Sequence, residues 1–352
     1  MTLHTNAPAQ RWPVRLALAL AGGYALVLAL ALLKSGAHAI SSGALGMHVP
    51  TTTAGALGMG WLMAYLFLSG SPPATIAVSL FAADALGQAQ ALAMIIGSRC
   101  GAASAVLVVG FIYQLRGSER AASLGTGVAA LVTTLLLAPL VLAFSALLLE
   151  PLVGLGAQTW GTTTWDWLDV ITAPPLDLLA ALEPPGWSLV PLGALVLLGG
   201  FKLFDAALPD LHESERFRLQ FPERPLALFV LGMLVTTMTL SVSVSVSLLV
   251  PLAARGTLRR AQVIPYVMGA NITALVDTLV AAGLSGAPAA PAIVLTGMIA
   301  AALASLTVLM LVYAPFAQLV EQITTRVVRD TRALILFLAV VILVPIALLQ
   351  AG

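Results

Sequence analysis

The chain has 352 residues, 60% of them hydrophobic and 9% charged, with a mean hydropathy of +1.02. A soluble domain has no surface on which to expose so many apolar side chains, so lipid is the solvent for most of this chain and a large soluble enzyme domain is excluded. The formal net charge of +1 leaves no footprint for nucleic acid, and the single cysteine, Cys100, excludes an internal disulfide.

The first apolar run, residues 16–39, follows Arg11 and Arg15 and ends near Ala37-His38-Ala39, an imitation of a signal-peptide cleavage site. It is longer than the roughly 7 to 15 residues of a signal h-region, so a retained first transmembrane helix with a cytoplasmic N-terminus is expected. Further apolar runs lie at 54–82, 91–115, 122–149, 188–208, 225–251, 262–284, 292–318 and 333–349.

Positive charges give the topology, because lysine and arginine flanking a span stay cytoplasmic. No Lys or Arg occurs from Ala121 to Phe201, and residues 150–187 carry Glu150, Asp166, Asp169, Asp177 and Glu183 with Trp160, Trp165, Trp167 and Trp187. That segment is expected to be an external loop on the membrane surface. Basic clusters at Arg116 and Arg120, Lys202 to Arg224, Arg255 to Arg260, and Arg326 to Arg332 are expected inside. The run 225–251 therefore starts and ends on the same side, as a re-entrant hairpin of two limbs, each about 20 Å long. The run 54–82 has no basic flank and enters from outside, and the resulting seven spans and two hairpins place fourteen of sixteen basic residues inside, leaving Lys34 and Arg99. Two ordinary spans with misplaced loop charges are the alternative.

Residues i and i+172 align the two hairpins: Leu68-Ser69-Gly70-Ser71 falls on Leu240-Ser241-Val242-Ser243, Gly60 on Gly232 and Gly125 on Gly297. A second polar element follows in each half, Gly97-Ser98-Arg99-Cys100 against Gly269-Ala270-Asn271-Ile272. The expected fold class is thus an all-α polytopic membrane protein, one domain over residues 1–352. It comprises two inverted repeats, each a re-entrant broken hairpin with flanking transmembrane helices. Repeat 1 covers 54–149 and repeat 2 covers 225–318, joined by the external loop and by a helix and cytoplasmic linker over 188–224, with a last helix at 333–349.

These motifs resemble the type II sodium-dependent phosphate cotransporters and their bacterial relatives, which carry two Q-S-S-S motifs in re-entrant hairpins, each followed by a G-A-N-I-G-T-type segment. Ile264 to Ile272 looks like the second such segment, and the two L-S-x-S tips stand where the Q-S-S-S motifs belong. The resemblance implies a bacterial plasma-membrane symporter, ion-coupled through sodium, that moves inorganic phosphate or a related small oxyanion by alternating access, and it is compatible with a homo-oligomer. Both motif glutamines are leucine here, Arg99 stands where the family has asparagine, and Thr273 replaces a glycine. Losing two amides alters the site, so a proton-coupled carrier of another small anion, or a non-transporting membrane subunit, are the alternatives.

A helix broken inside the membrane leaves backbone groups that protein, water or ligand must satisfy. Helix N-termini after the breaks then offer N–H groups to an anion, and serine hydroxyls offer oxygen to a small cation. Gly70, Gly97 and Gly269 are the expected breaks. The candidate solute contacts are Ser69, Ser71, Arg99, Ser241, Ser243 and Asn271, and the candidate ion-coupling residues are Ser245, Thr273 and Asp277. Each serine has a plainer reading as a small residue that lets helices pack. The alternation from Ser241 to Ser247 predicts an extended tip. Arg99 lies about 12 Å into its span and suits bidentate binding of an oxyanion. It equally suits a structural ion pair with Asp84 or Asp277, or snorkelling. No P-loop, Ser-His-Asp set or Rossmann glycine pattern appears, and His4, His38, His48 and His212 have no zinc spacing, so neither an enzyme nor a resident metal is expected.

Overall fold

The computed structural model describes residues 12–41, 50–115, 120–159, 166–182, 184–207, 223–239, 242–247, 249–254 and 258–351. Every regular element among them is helical. In chain order these are α1 (Trp12–Ser41), α2 (Thr53–Phe67), α3 (Ser71–Ala82), α4 (Gln88–Leu115), α5 (Arg120–Thr159), α6 (Asp166–Ala180), α7 (Leu189–Ala207) and α8 (Pro225–Thr239). There follow α9 (Val242–Ser247), α10 (Leu249–Ala254), α11 (Arg260–Thr273), α12 (Val276–Leu284), α13 (Ala290–Leu311), α14 (Tyr313–Arg329) and α15 (Thr331–Gln350).

Among the described residues six segments are long and apolar enough to cross a membrane: Pro13–Gly36, Gln88–Leu115, Ala122–Gly156, Arg260–Leu284, Ala290–Leu311 and Thr331–Gln350. The chain is an integral multi-pass membrane protein, since in lipid a helix pairs its own backbone groups. By contrast α2, α3 and α8 have 15, 12 and 15 residues, too few to cross.

The 172-residue offset is also a period of the structure. Shifted by 172, the bounds of α2 (53–67) become those of α8 (225–239), the start of α4 becomes that of α11, and the end of α3 becomes that of α10. The closest backbone contacts repeat as well. A Cβ on Gly60 would overlap the Met94 carbonyl, and one on Gly97 the Leu57 carbonyl. In the second half Gly232 meets the Tyr266 carbonyl and Gly269 that of Phe229, every partner again displaced by 172. The third contact survives a change of residue: Gly101 abuts the Trp61 carbonyl, while at the equivalent place the Thr273 hydroxyl donates to the Met233 carbonyl at 2.9 Å.

These contacts correct two expected breaks. Helix α4 runs unbroken through Gly97, and α11 continues past Gly269 to Thr273, because at both positions the absent side chain lets two backbones touch. The first true break lies at 68–70, beside Gly70. Leu68 adopts the left-handed conformation (φ 48°) and its N–H bonds the Tyr65 carbonyl at 3.4 Å, ending α2. Pro72 and Pro73 in the first turn of α3 prevent one continuous helix. In the second half α11 stops at Thr273 and α12 begins at Val276.

Other boundaries also differ from expectation. Residues 242–247 are helical instead of extended, since an extended tip would leave its N–H and C=O groups without the partners that a helix supplies internally. Helix α5 runs ten residues beyond the expected end at 149, and the segment expected to be an external loop holds α6. The span expected to end at 318 ends at Leu311, and α14 follows as an amphipathic helix. Its buried positions Val320, Thr324, Val327 and Val328 form one stripe, and Pro315 sits in its first turn, where a missing N–H costs nothing.

Helices α1 and α7 pair antiparallel through small residues, with Gly36 against Val190, Gly193 against Leu33 and Gly200 against Leu26. Helix α4 packs against both α2 and α5, and α12 packs against α3 and α13. This arrangement brings the α2–α3 break of the first half to the α11–α12 break of the second.

Candidate functional site

Arg99 projects from α4 into the junction of those two breaks. It is 8% exposed. A Cβ on Gly70 would lie 2.5 Å from the guanidinium carbon, so the glycine at the first break is the space that the arginine occupies. Nε donates to the Ser98 hydroxyl at 3.3 Å, and Nη1 donates to the Ala274 carbonyl at 3.3 Å, inside the second break. Nη2 is buried with no hydrogen-bond partner among the described residues.

The facing carboxylate is Asp277, in the first turn of α12 and also 8% exposed. Its Oδ1 accepts from the Thr278 backbone N–H at 2.5 Å and from the Thr278 hydroxyl at 3.1 Å. That bond turns the Thr278 N–H toward a side chain, and the carbonyl four residues earlier, Ala274, is the one that Arg99 caps. Oδ2 is buried and unpartnered among the described residues. Arg99 is the cation that acts on Asp277, and the Ser71 hydroxyl at the start of α3 faces the carboxylate. One turn along α3, the fully buried Thr75 hydroxyl also has no partner among the described residues.

The structure thus brings Ser71, Arg99 and Asp277 to one junction, although Ser71 and Asp277 stand 206 positions apart in the sequence. Of the alternatives for Arg99, Asp277 shares the second break with it through Ala274, which the guanidinium caps, but no direct hydrogen bond or ion pair joins the two side chains among the described residues. Ser69 is half-buried within the first break. Ser245 lies elsewhere, in a closed hydroxyl network: it accepts from Thr236 at 2.7 Å and shares a 2.8 Å bond with the Tyr266 hydroxyl. Thr273 is used in the α8–α11 contact, and Asn271, the counterpart of Arg99 at the 172-residue offset, donates to the Thr134 hydroxyl on α5 at 3.0 Å. Ser241 lies outside the described residues, as does the Ser243 side chain.

The expected helix N-terminal donors are mostly missing from the first break, because Pro72 and Pro73 have no N–H. The Arg99 fork supplies the donor instead. Sequence reading missed Ser98, Thr75, Thr278 and the Ala274 carbonyl. Thr75 was signalled only by its i+4 spacing from Ser71, and Thr278 only by its adjacency to Asp277.

Chemically, the junction holds one cationic donor and one anionic acceptor, each with an unused hydrogen-bonding face. A buried polar atom without a partner loses its hydration for nothing, about 1 to 3 kcal/mol and more for a charged group. The missing bonds can come from water, an ion or a ligand. Comparison with known proteins gives no match. No family model, no curated protein and no solved structure matches this chain.

Proposed function

We propose that this chain is a secondary transporter, an ion-coupled symporter of phosphate or a related small oxyanion, whose solute binds where the two helix breaks meet. The observation that carries the reading is the buried Arg99 Nη2 and Asp277 Oδ2, both unpartnered among the described residues. A guanidinium face of this kind accepts an oxyanion through charge-assisted bonds. The likeness of the L-S-x-S tips and of Ile264 to Ile272 to type II sodium-dependent phosphate cotransporters supports phosphate as the first solute to test.

In this reading α2–α3 and α8–α10 are re-entrant hairpins of inverted repeats. Arg224, Arg259 and Arg260 flank the second hairpin and no basic residue flanks the first, which supports entry from opposite sides, with the N-terminus and α14 cytoplasmic. Alternating access then needs the two halves to move against each other around Arg99, whose bond to Ala274 crosses between them. The test is uptake of radiolabelled phosphate into proteoliposomes under an inward sodium or proton gradient. Absence of uptake, exchange and binding of any small oxyanion would leave a membrane subunit without transport.

A further inference from the structure

Resting on that reading of the site, we infer that the coupling ion is a proton carried by Asp277, and that one monovalent anion and one proton cross together without net charge. The argument is one of charge at a buried place. With the site empty, Arg99 and Asp277 sum to zero. A monoanion on Nη2 makes the junction −1, which is costly where both side chains are only 8% exposed. A proton on Asp277 restores neutrality, so the two ligands favour each other's binding.

Among the described residues no other charge takes that role. Helices α3 and α13, which pack on α12, contain no charged residue, and α4 contributes Arg99 alone, next to the Cys100 thiol. Helix α1 brings Arg15, Lys34 and His38; Arg15 and Lys34 are not among the groups that act on the Asp277 carboxylate, and the His38 side chain lies outside the described residues. Among the described residues a proton also fits better than sodium. Oδ1 is already occupied by two bonds from Thr278, which leaves Oδ2, the Ser71 hydroxyl beside it and the Thr75 hydroxyl one turn along α3, three oxygens at most. One oxygen suffices for a proton, whereas a hard metal cation gathers several oxygen ligands. The step balances simply: Oδ2 takes a proton from the side of higher proton activity when the anion enters, and releases it on the other side as the anion leaves.

The experiment uses the full chain in sodium-free proteoliposomes with labelled phosphate, an inward proton gradient, and a membrane potential set by potassium and valinomycin. Wild-type uptake should require the proton gradient and stay unchanged across the imposed potentials. Asp277→Asn should remove the proton and make the remaining transport electrogenic, its accumulation ratio shifting by up to ~fifty-fold per 100 mV. Asp277→Glu should restore independence of potential. Wild-type uptake that requires sodium, or that follows the potential, overturns the inference and leaves the carrier reading standing. So does an Asp277→Asn protein indifferent to potential. Absence of phosphate uptake, exchange and binding in wild type overturns both. If Asp277→Asn does not fold, the wild-type dependence on protons, sodium and potential decides alone.

Discussion

If Arg99 and Asp277 compensate each other across the junction, their neutralisation must be strongly non-additive for stability. Asp277→Asn keeps an acceptor for the Thr278 N–H but leaves the buried guanidinium without a counter-charge, which costs about 3 to 5 kcal/mol. Arg99→Gln strands the carboxylate at similar cost and also removes the donor to the Ala274 carbonyl. In the double variant both charges are gone. The remaining loss is the Ala274 carbonyl, about 1 to 3 kcal/mol, well under the sum of the single losses. The coupling energy, the sum of the single losses less the loss of the double variant, should be at least about 3 kcal/mol, the upper end for residues sharing one network. Reversible unfolding of the four proteins in detergent micelles, followed by circular dichroism across a denaturant series, measures it. Additivity to within about 0.5 kcal/mol would mean that the two charges do not feel each other, and the site as drawn would fail.

Three further outcomes follow from the same geometry. Arg99→Lys keeps the charge but loses the fork that reaches Ser98, Ala274 and the free Nη2 face, so apparent phosphate affinity should fall at least tenfold while folded yield is retained; unchanged affinity would make Arg99 a structural cation. Gly60→Ala and Gly232→Ala should each lose about 1 to 3 kcal/mol, because each Cβ meets a backbone carbonyl, whereas Gly199→Ala, with nothing within 4 Å, should be neutral or stabilising by up to ~1 kcal/mol. Thermal melts of the three variants check this, and equal effects at all three positions would count against the repeated contact. In a Cys100→Ala background, Glu223→Cys and Ala261→Cys should be protected from an impermeant thiol reagent in intact cells while Asp177→Cys reacts. Labelling of only one of the first two would make α8–α10 a crossing and end the inverted-repeat topology.

Much of the architecture was legible because lipid imposes one-dimensional rules. Apolar length located six of the seven expected spans, and the match of Gly60 with Gly232 at offset 172 announced a repeat that the contacts at Met94 and Tyr266 reproduce. What composition could not separate was a glycine that breaks a helix from one that lets two helices touch. Gly97 and Gly269 look like breaks in a string of letters, and only the carbonyls of Leu57 and Phe229 pressed against them decide otherwise. The amphipathic α14 was hidden for a related reason, since Leu311, Val312 and Phe316 carry the apolar run across the junction and the turn there depends on how α14 packs against α5 and α15. The site is the clearest case. Arg99 and Asp277 stand out singly as charges in apolar runs, but which charge faces which depends on helix rotation and on where α11 breaks. The tertiary fold alone sets those two quantities: it turns Arg99 toward Gly70 and Ala274, and leaves Arg99 Nη2, Asp277 Oδ2 and the Thr75 hydroxyl buried without a partner among the described residues.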